Sequence, residues 1–464
     1  MAKPRNIIRY LTQYGLRGTV GLVREKLLVD PKRFSPNKVR TLPSFPEGYE
    51  SGEVAKNPPM RSGFTVLYLL HYFYPDKKGG TERFTLNIAK EALARGNTPK
   101  VLVLDANNPK SLYTERCGDI LYRRYTYDGI ECIGYRYEKA PLGLYYKRIT
   151  DDDPALREFA RHIIKTEGID IIHATYPQPF VPMLKEAKEI GIPYVVTCTD
   201  FAMICHYSTM VDDNGDFCGG CESGERCKKI CKSYGIPDAR ARLDSAREAL
   251  LGAQTVTVPS VFVARVLSKE LPGVRFIPVN HGISEAFTKP YRPRRVKKFV
   301  YAGTISRLKG IHLLVAAFAR LRDPELTLDI YGSGDSKYLE DLKRCADRRI
   351  SFHDAVPGEM MPEIYAGHDC VVIPSMWYET YNFVLREAAE SGALVIASDI
   401  GAMSEAVRVG KNGYLFRAAD ADDLYEKMKL AIEFDPENYE RVSYPKLSDE
   451  GDIYDRIYRS ALAK

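Results

Sequence analysis

The sequence predicts an α/β protein with two parallel-sheet domains facing a central cleft, preceded by a basic helical extension. Three observations carry this expectation. Short apolar runs alternate with helix-like stretches, the pattern of a parallel sheet covered by helices. The alternation occurs twice, on either side of a proline-containing stretch without acids, Lys289 to Arg295, which reads as a linker. A chain of 464 residues, 45% hydrophobic and 28% charged, is long enough for two or three well-developed cores. That composition excludes collagenous, largely disordered and membrane-embedded classes. No apolar run approaches the ~18 residues needed to span a bilayer. With no small-residue cleavage site after a short apolar core at the start, a cytoplasmic location is expected.

The elements follow in order. Residues 1–40 hold ten basic side chains against Glu25 and Asp30, so the net charge of +6 belongs to this arm and the remainder is slightly acidic. Ile7, Ile8, Leu11, Tyr14 and then Val20, Val23, Leu27 recur at helical spacing with Arg9, Arg17 and Arg24 between them. The arm reads as short basic amphipathic helices, either packed on the body or in peripheral contact with the anionic inner face of a membrane. Residues 41–62, with Pro43, Pro46, Pro58 and Pro59, suit an irregular connector. The expected division is 1–60 for the extension and connector, 61–288 for the first α/β domain, 296–445 for the second and 446–464 for a closing helix. In the first domain Thr65–Leu70, Lys100–Leu104, Asp170–His173, Tyr194–Cys198 and Thr255–Val258 are strand-like, separated by helical stretches such as 81–95, 154–166 and 239–251. Asp151-Asp152-Asp153 before Pro154 reads as a helix start, not as a catalytic metal site. In the second domain Phe299–Ala302, Leu326–Tyr331, Ile350–Phe352, Cys370–Ile373 and Leu394–Ala397 are strand-like. Ligands of open α/β sheets bind outside the carboxyl ends of the strands, so two such domains face each other across a cleft.

The most informative stretch is Pro374–Glu390, PSMWYETYNFVLREAAE. A loop leaves the Cys370–Ile373 strand and reaches Glu379, and a helix then starts at Asn382, a favoured capping residue. Glu387 falls inside that helix, so the two carboxylates address different parts of one ligand. The helix start, near Phe383 and Val384, offers free N–H groups and a positive dipole end for phosphate. An anion site flanked by two acceptor-only carboxylates suits a nucleotide sugar, with the diphosphate on the helix end, one glutamate for sugar hydroxyls and the other for ribose hydroxyls. Trp377 and Tyr378, beside Glu379, are core or cleft-wall residues that could pack near such a donor.

On these residues the chain resembles the retaining glycosyltransferases of family 4, which have the GT-B fold of two Rossmann-like domains. The resemblance is carried by Glu379-x7-Glu387 with Gly401 to Glu405 and Asn412 to Leu415 downstream, by Tyr301 to Gly310, by Gly79-Gly80-Thr81-Glu82 and by Asn280-His281-Gly282, and it covers about residues 63–430. It implies that Glu379 holds donor-sugar hydroxyls, Glu387 the ribose, and Lys309 the diphosphate, with Gly303, Thr304, Asn382, Phe383 and Val384 around them and Gly79 and Gly80 closing from the other domain. Relatives often carry an arginine where this chain has Thr304, which leaves Arg307 either as the second cation or as a solvated loop arginine with no part in the site. On the acceptor side they often carry His-Asp where this chain has Thr199-Asp200, leaving Asp200 as the matching polar group. His173, ending a strand, is either an acceptor contact or a buried structural histidine. Catalysis is assigned to Glu379, Lys309 and Asp200 without a required catalytic metal.

Six of the ten cysteines lie from Cys198 to Cys231. Cys218-x2-Cys221 and Cys227-x3-Cys231, with Cys205 upstream as an alternative ligand, have the spacing of a closed structural zinc site in a 198–235 insertion. An iron–sulfur cluster and independent thiols are the other readings.

The expected function is a retaining glycosyltransferase that moves a sugar from a UDP- or GDP-linked donor to a glycan or lipid-linked acceptor, in polysaccharide or glycoconjugate biosynthesis. The alternatives are a catalytically silent sugar-nucleotide-binding scaffold and a sugar phosphorylase or epimerase of the same fold. A nucleic-acid partner is not expected, because Arg226, Lys228, Lys229 and Lys232 face Asp212, Asp213, Asp216, Glu222 and Glu225 around the cysteines.

Overall fold

Buried apolar runs become strands, and the helices between them cover both faces of two sheets. The computed structural model describes residues 44–105, 108–139, 152–232, 238–290 and 294–463. The basic arm, Asp151 and the centre of the linker lie outside the described residues.

The first sheet is built from β1 (Thr65–Leu70), α1 (Gly80–Ala94), β2 (Thr98–Leu104), β3 (Glu115–Cys117), β4 (Ile120–Tyr127), β5 (Ile130–Tyr137), α2 (Pro154–Thr166), β6 (Ile171–Ala174), α3 (Val181–Glu189), β7 (Tyr194–Thr197), α4 (Glu225–Ile230), α5 (Ala239–Leu251), β8 (Thr255–Val258), α6 (Val261–Glu270) and β9 (Phe276–Pro278). Its strand order is β3-β4-β5-β2-β1-β6-β7-β8-β9. All pairings are parallel except β3 with β4 and β4 with β5. The antiparallel addition at 115–137 is absent from the sequence reading. Its signal is Asp128-Gly129 between two alternating runs, and both residues take positive φ (48° and 78°), as a two-residue hairpin turn requires. Asp153 caps α2, its Oδ1 accepting from Leu156 N at 3.1 Å.

The second sheet follows with β10 (Lys298–Ala302), α7 (Ile311–Phe318), β11 (Thr327–Tyr331), α8 (Ser336–Cys345), β12 (Ile350–His353), α9 (Met361–Gly367), β13 (Cys370–Ile373), α10 (Phe383–Glu390), β14 (Leu394–Ser398), β15 (Gly413–Phe416), α11 (Ala421–Ile432) and α12 (Leu447–Leu462). It is wholly parallel, in the order β12-β11-β10-β13-β14-β15. The strand order reverses at β1 in one sheet and at β10 in the other, and crevices for ligands open at such switch points. The loops after β1, β10 and β13 therefore line the place where the two domains meet.

The last helix follows the second domain in sequence and packs on the first. Tyr454, Ile457, Tyr458 and Ala461 of α12 are buried in the same apolar cluster as Phe64, Tyr68 and Phe84. Burying a side chain such as Ile457 contributes about 2 kcal/mol. The chain thus crosses between domains twice. The two crossings run side by side, with Ile283 N donating to Pro445 O at 2.8 Å, Gly282 N to Glu450 Oε2 at 2.8 Å, and His281 Nδ1 2.9 Å from Glu450 Oε1. Among the described residues no helix is long and apolar enough to cross a membrane.

Candidate active site

After β13 the chain runs through Pro374 to Asn382 before α10 begins, and two close backbone approaches fix that loop. Gly310 has φ +71°, and a Cβ there would lie 1.8 Å from Pro374 O; at Gly401, with φ +66°, it would lie 2.4 Å from Glu379 O. Only glycine fits either place. Met376 N donates to Leu308 O (2.7 Å) and Ala402 N to Glu379 O (2.8 Å), so the loops after β10, β13 and β14 form one unit.

Within it Glu379 is buried, and its Oε1 accepts from Lys309 Nζ (2.6 Å), Ser375 Oγ (2.7 Å) and Trp377 Nε1 (2.6 Å). Burial pushes this carboxyl up, but Lys309 and the hydrogen bonds outweigh it and hold the group below its usual range. Glu379 is an ionised acceptor, with Lys309 Nζ also 4.8 Å from the Trp377 ring centroid. Tyr378 turns the other way, onto Phe217 and Phe262 of the first domain.

Asn382 caps α10 from a left-handed conformation (φ 66°), its Oδ1 accepting from Leu385 N at 2.9 Å. No hydrogen bond among the described residues uses the amides of Phe383 and Val384. One turn further on, Glu387 is buried at 2% exposure and forms an ion pair with Arg83 of α1, across the cleft. The contact is a close charge pairing without an aligned N–H···O bond. Burial raises the Glu387 carboxyl above its usual range, and the Arg83 charge offsets that only in part. The Arg83 guanidinium also lies over the Phe383 ring, 4.7 Å from its centroid. Further contacts join the domains here: Ser260 Oγ donates to Thr380 O (2.8 Å), and Glu405 accepts from Phe262 N (2.6 Å) at the start of α6.

The remaining expected donor residues are spread more widely. Gly303 and Thr304 follow β10; Thr304 is exposed, and its carbonyl accepts from Tyr301 OH at 2.8 Å. The Arg307 guanidinium lies 5.0 Å from the Tyr338 ring centroid. Gly79 precedes α1, where a Cβ would meet the Glu82 carboxylate, whereas a Cβ at Gly80 would meet nothing within 4 Å.

On the acceptor side, Thr199 Oγ1 lies 2.8 Å from Thr81 Oγ1 and donates to Thr175 O at 3.1 Å, so it ties the glycine loop to the sheet. Asp200 accepts from Ala202 N (2.8 Å), and burial, helped by the Glu82 charge and opposed by Arg242, lifts its carboxyl to about 7. His173 is not a cleft residue. It is fully buried, 2.7 Å from both Tyr458 OH and Thr197 Oγ1, and burial keeps it neutral by lowering it to about 3. Tyr458 of α12 covers the strand that carries it.

Cys205, Cys218, Cys221, Cys227 and Cys231 line one cavity of about 20 Å³ with His206 and Asp212. All are free thiols; Cys218 Sγ donates to Gly220 O (3.1 Å) and Cys221 Sγ to Glu270 Oε2 (2.9 Å). As they stand, no three His, Cys, Asp or Glu side chains among the described residues converge to hold an ion.

Sequence reasoning missed Arg83, Ser375 and Glu450. Arg83 follows the glycine motif directly, and its charge in the first turn of α1, at the unfavourable dipole end, was the available signal.

Residues 78–287 match the family model for glycosyltransferase family 4, and residues 296–433 that for glycosyl transferases group 1, together about three quarters of the chain. The chain belongs to the GT-B glycosyltransferases. An uncharacterized glycosyltransferase of Methanocaldococcus jannaschii is 33% identical over 121 residues, 25% of this chain and 31% of that one. The D-inositol 3-phosphate glycosyltransferase of Corynebacterium jeikeium is 25% identical over 378 residues, 77% of this chain and 84% of that one. The match spans about a third of the length of the first curated relatives and most of this last one. Solved GT-B structures share the fold. Anabaena HepE in complex with UDP and glucose aligns with a TM-score of 0.56 at 17% identity, over 85% of this chain and 96% of that one. The catalytic domain of Arabidopsis thaliana starch synthase IV, bound to ADP and acarbose, aligns at 0.58 and 14%, over 87% and 100%.

Proposed function

We propose that this glycosyltransferase takes a nucleotide-diphosphate sugar, UDP- or GDP-linked, and transfers the sugar with retention of configuration to a glycan or lipid-linked acceptor. One observation carries the reading: two buried carboxylates flank the first turn of α10, and each holds a cation, Lys309 on Glu379 and Arg83 on Glu387. That arrangement suits a ligand with hydroxyls at both ends and phosphate between them. Sugar hydroxyls donate to Glu379, ribose hydroxyls donate to Glu387, and the diphosphate sits on the Phe383 and Val384 amides. Departure of the nucleoside diphosphate builds negative charge there, which Lys309 and the amides stabilise more in the transition state than in the ground state. Asp200, in the first domain, is our candidate for meeting the acceptor. HepE structures hold UDP and UDP-glucose, which supports a donor of this class. The test is calorimetric titration with UDP, GDP and ADP, alongside Glu387→Ala. Selective binding of one nucleotide, weakened in the variant, is expected; equal binding by the variant would remove Glu387 from the donor site.

Two further expectations join the proposal. The thiols around the cysteine cavity are donors of zinc chemistry, and a zinc ion drawn among them would brace the insertion whose Phe217 packs on Tyr378, next to Glu379. Peripheral membrane contact by residues 1–40 is checked by vesicle co-sedimentation with and without that arm.

A further inference from the structure

We propose that Arg83 is the second cation of the donor site, reaching the diphosphate from the opposite domain. The inference rests on the donor reading above and adds a residue to it. A nucleoside diphosphate carries more than one negative charge, and anions of this kind are held by several charged donors. The loops of the second domain bring one ammonium to the start of α10, that of Lys309. Thr304 is uncharged, and Arg307 is turned onto Tyr338. Arg83 leaves the first turn of α1, passes over the ring of Phe383, the first residue of α10, and ends on Glu387. Its guanidinium thus touches side chains from the first and fifth residues of the helix whose first amides the diphosphate would use. About a third of the side chain remains open to solvent (32%), so the cleft has access to it.

The geometry has an internal symmetry. Lys309 on Glu379 and Arg83 on Glu387 are each a neutral pair as they stand. Once sugar and ribose hydroxyls donate to the two carboxylates, both cations can turn part of their hydrogen-bonding capacity towards phosphate oxygens. An ammonium does so with one of three donors. A guanidinium, with five donors in a planar fork, can keep one edge on Glu387 and offer another to phosphate. Because Arg83 belongs to the first domain, and Lys309 and α10 to the second, the diphosphate would then be held from both sides.

The test compares the nucleoside diphosphate that the wild-type protein selects with the corresponding nucleoside, the first by calorimetry and the second by ligand-observed NMR. Loss of a charge-assisted contact in Arg83→Met is expected to weaken diphosphate binding by about tenfold or more while nucleoside binding stays within about threefold. Arg83→Lys, which keeps a charge but loses the fork, should fall between. A structural latch alone would behave otherwise: both ligands would weaken together, in step with a lower melting temperature. That outcome, or diphosphate affinity unchanged in Arg83→Met, overturns the proposal. Should the wild-type protein bind no nucleotide at all, the donor reading itself falls, a result that the two ligand series separate from failure of Arg83 alone.

Discussion

Replacing Lys309 with methionine tests how Glu379 is held. The carboxylate is 7% exposed and takes three hydrogen bonds on one oxygen, of which only that from Lys309 carries charge. Removing one partner of a fully buried ion pair costs about 3–5 kcal/mol. Lys309 is a quarter exposed and the Ser375 and Trp377 donors remain, so the cost here is nearer ~2 kcal/mol. For a domain of this size that is a drop in melting temperature of about 4–8 °C at pH 7. The pH dependence gives the sharper check. In the wild type the Glu379 carboxyl is depressed, so its contribution is present above the unfolded-state value of about 4.3 and is lost as pH falls through the folded one. In Lys309→Met the carboxyl rises, and protonation relieves the buried charge. The gap between the two proteins should therefore be widest at pH 7–8 and close towards pH 4. Melting curves followed by circular dichroism across that range read it directly. A gap that is absent, or constant with pH, would refute the account of Lys309 as the counter-charge of Glu379.

Other expectations are as readily checked. Asp200 has its folded-state carboxyl raised to about 7, so the folded protein binds the extra proton and stability falls as pH rises from about 4 to 7; Asp200→Asn should melt higher than wild type at pH 8, with the difference vanishing near pH 4. If Asp200 meets the acceptor, that gain comes with lower turnover, measured on whichever donor the titrations select. Gly401→Ala places a Cβ against the Glu379 backbone at positive φ and should lower the melting temperature by an amount equivalent to about 2 kcal/mol, while Gly80→Ala, in a helix with open space around it, should raise stability by about 0.4–1 kcal/mol in the same melt. Metal analysis of protein purified without added metal should find about one zinc per chain, lost in Cys218→Ser; metal-free protein of unchanged stability would leave the five cysteines as ordinary thiols.

Much of the architecture was legible because many of its strands are short, mostly apolar runs between helix-like stretches. Cys370–Ile373 and Thr65–Leu70 cannot be amphipathic edges, and a buried parallel strand is what remains. The β3–β5 addition was harder, since Arg123, Arg124 and Arg136 alternate with aromatics and make those strands look like surface. Glu379, Lys309 and Asn382 could be placed because they lie next to the strand end and helix start that position them. Arg83 and His173 could not, for one shared reason. The partners that decide their roles, Glu387 and Tyr458, are about three hundred residues away in the chain, and no local pattern encodes such a meeting.

The return of α12 to the first domain has a consequence for how the protein is made. A ribosome emits the strands of the first sheet early, yet the side of that sheet around Tyr68 and His173 stays uncovered until Tyr454, Ile457 and Tyr458 appear. The second sheet can close on its own residues in the meantime. The domain begun first is therefore finished last, and until the final helix emerges it exposes apolar surface beside α1 that this helix will cover. Deleting residues 447–462 should accordingly yield a chain whose second domain folds and whose first aggregates, in a protein where a cut so far from the cleft in sequence looks harmless.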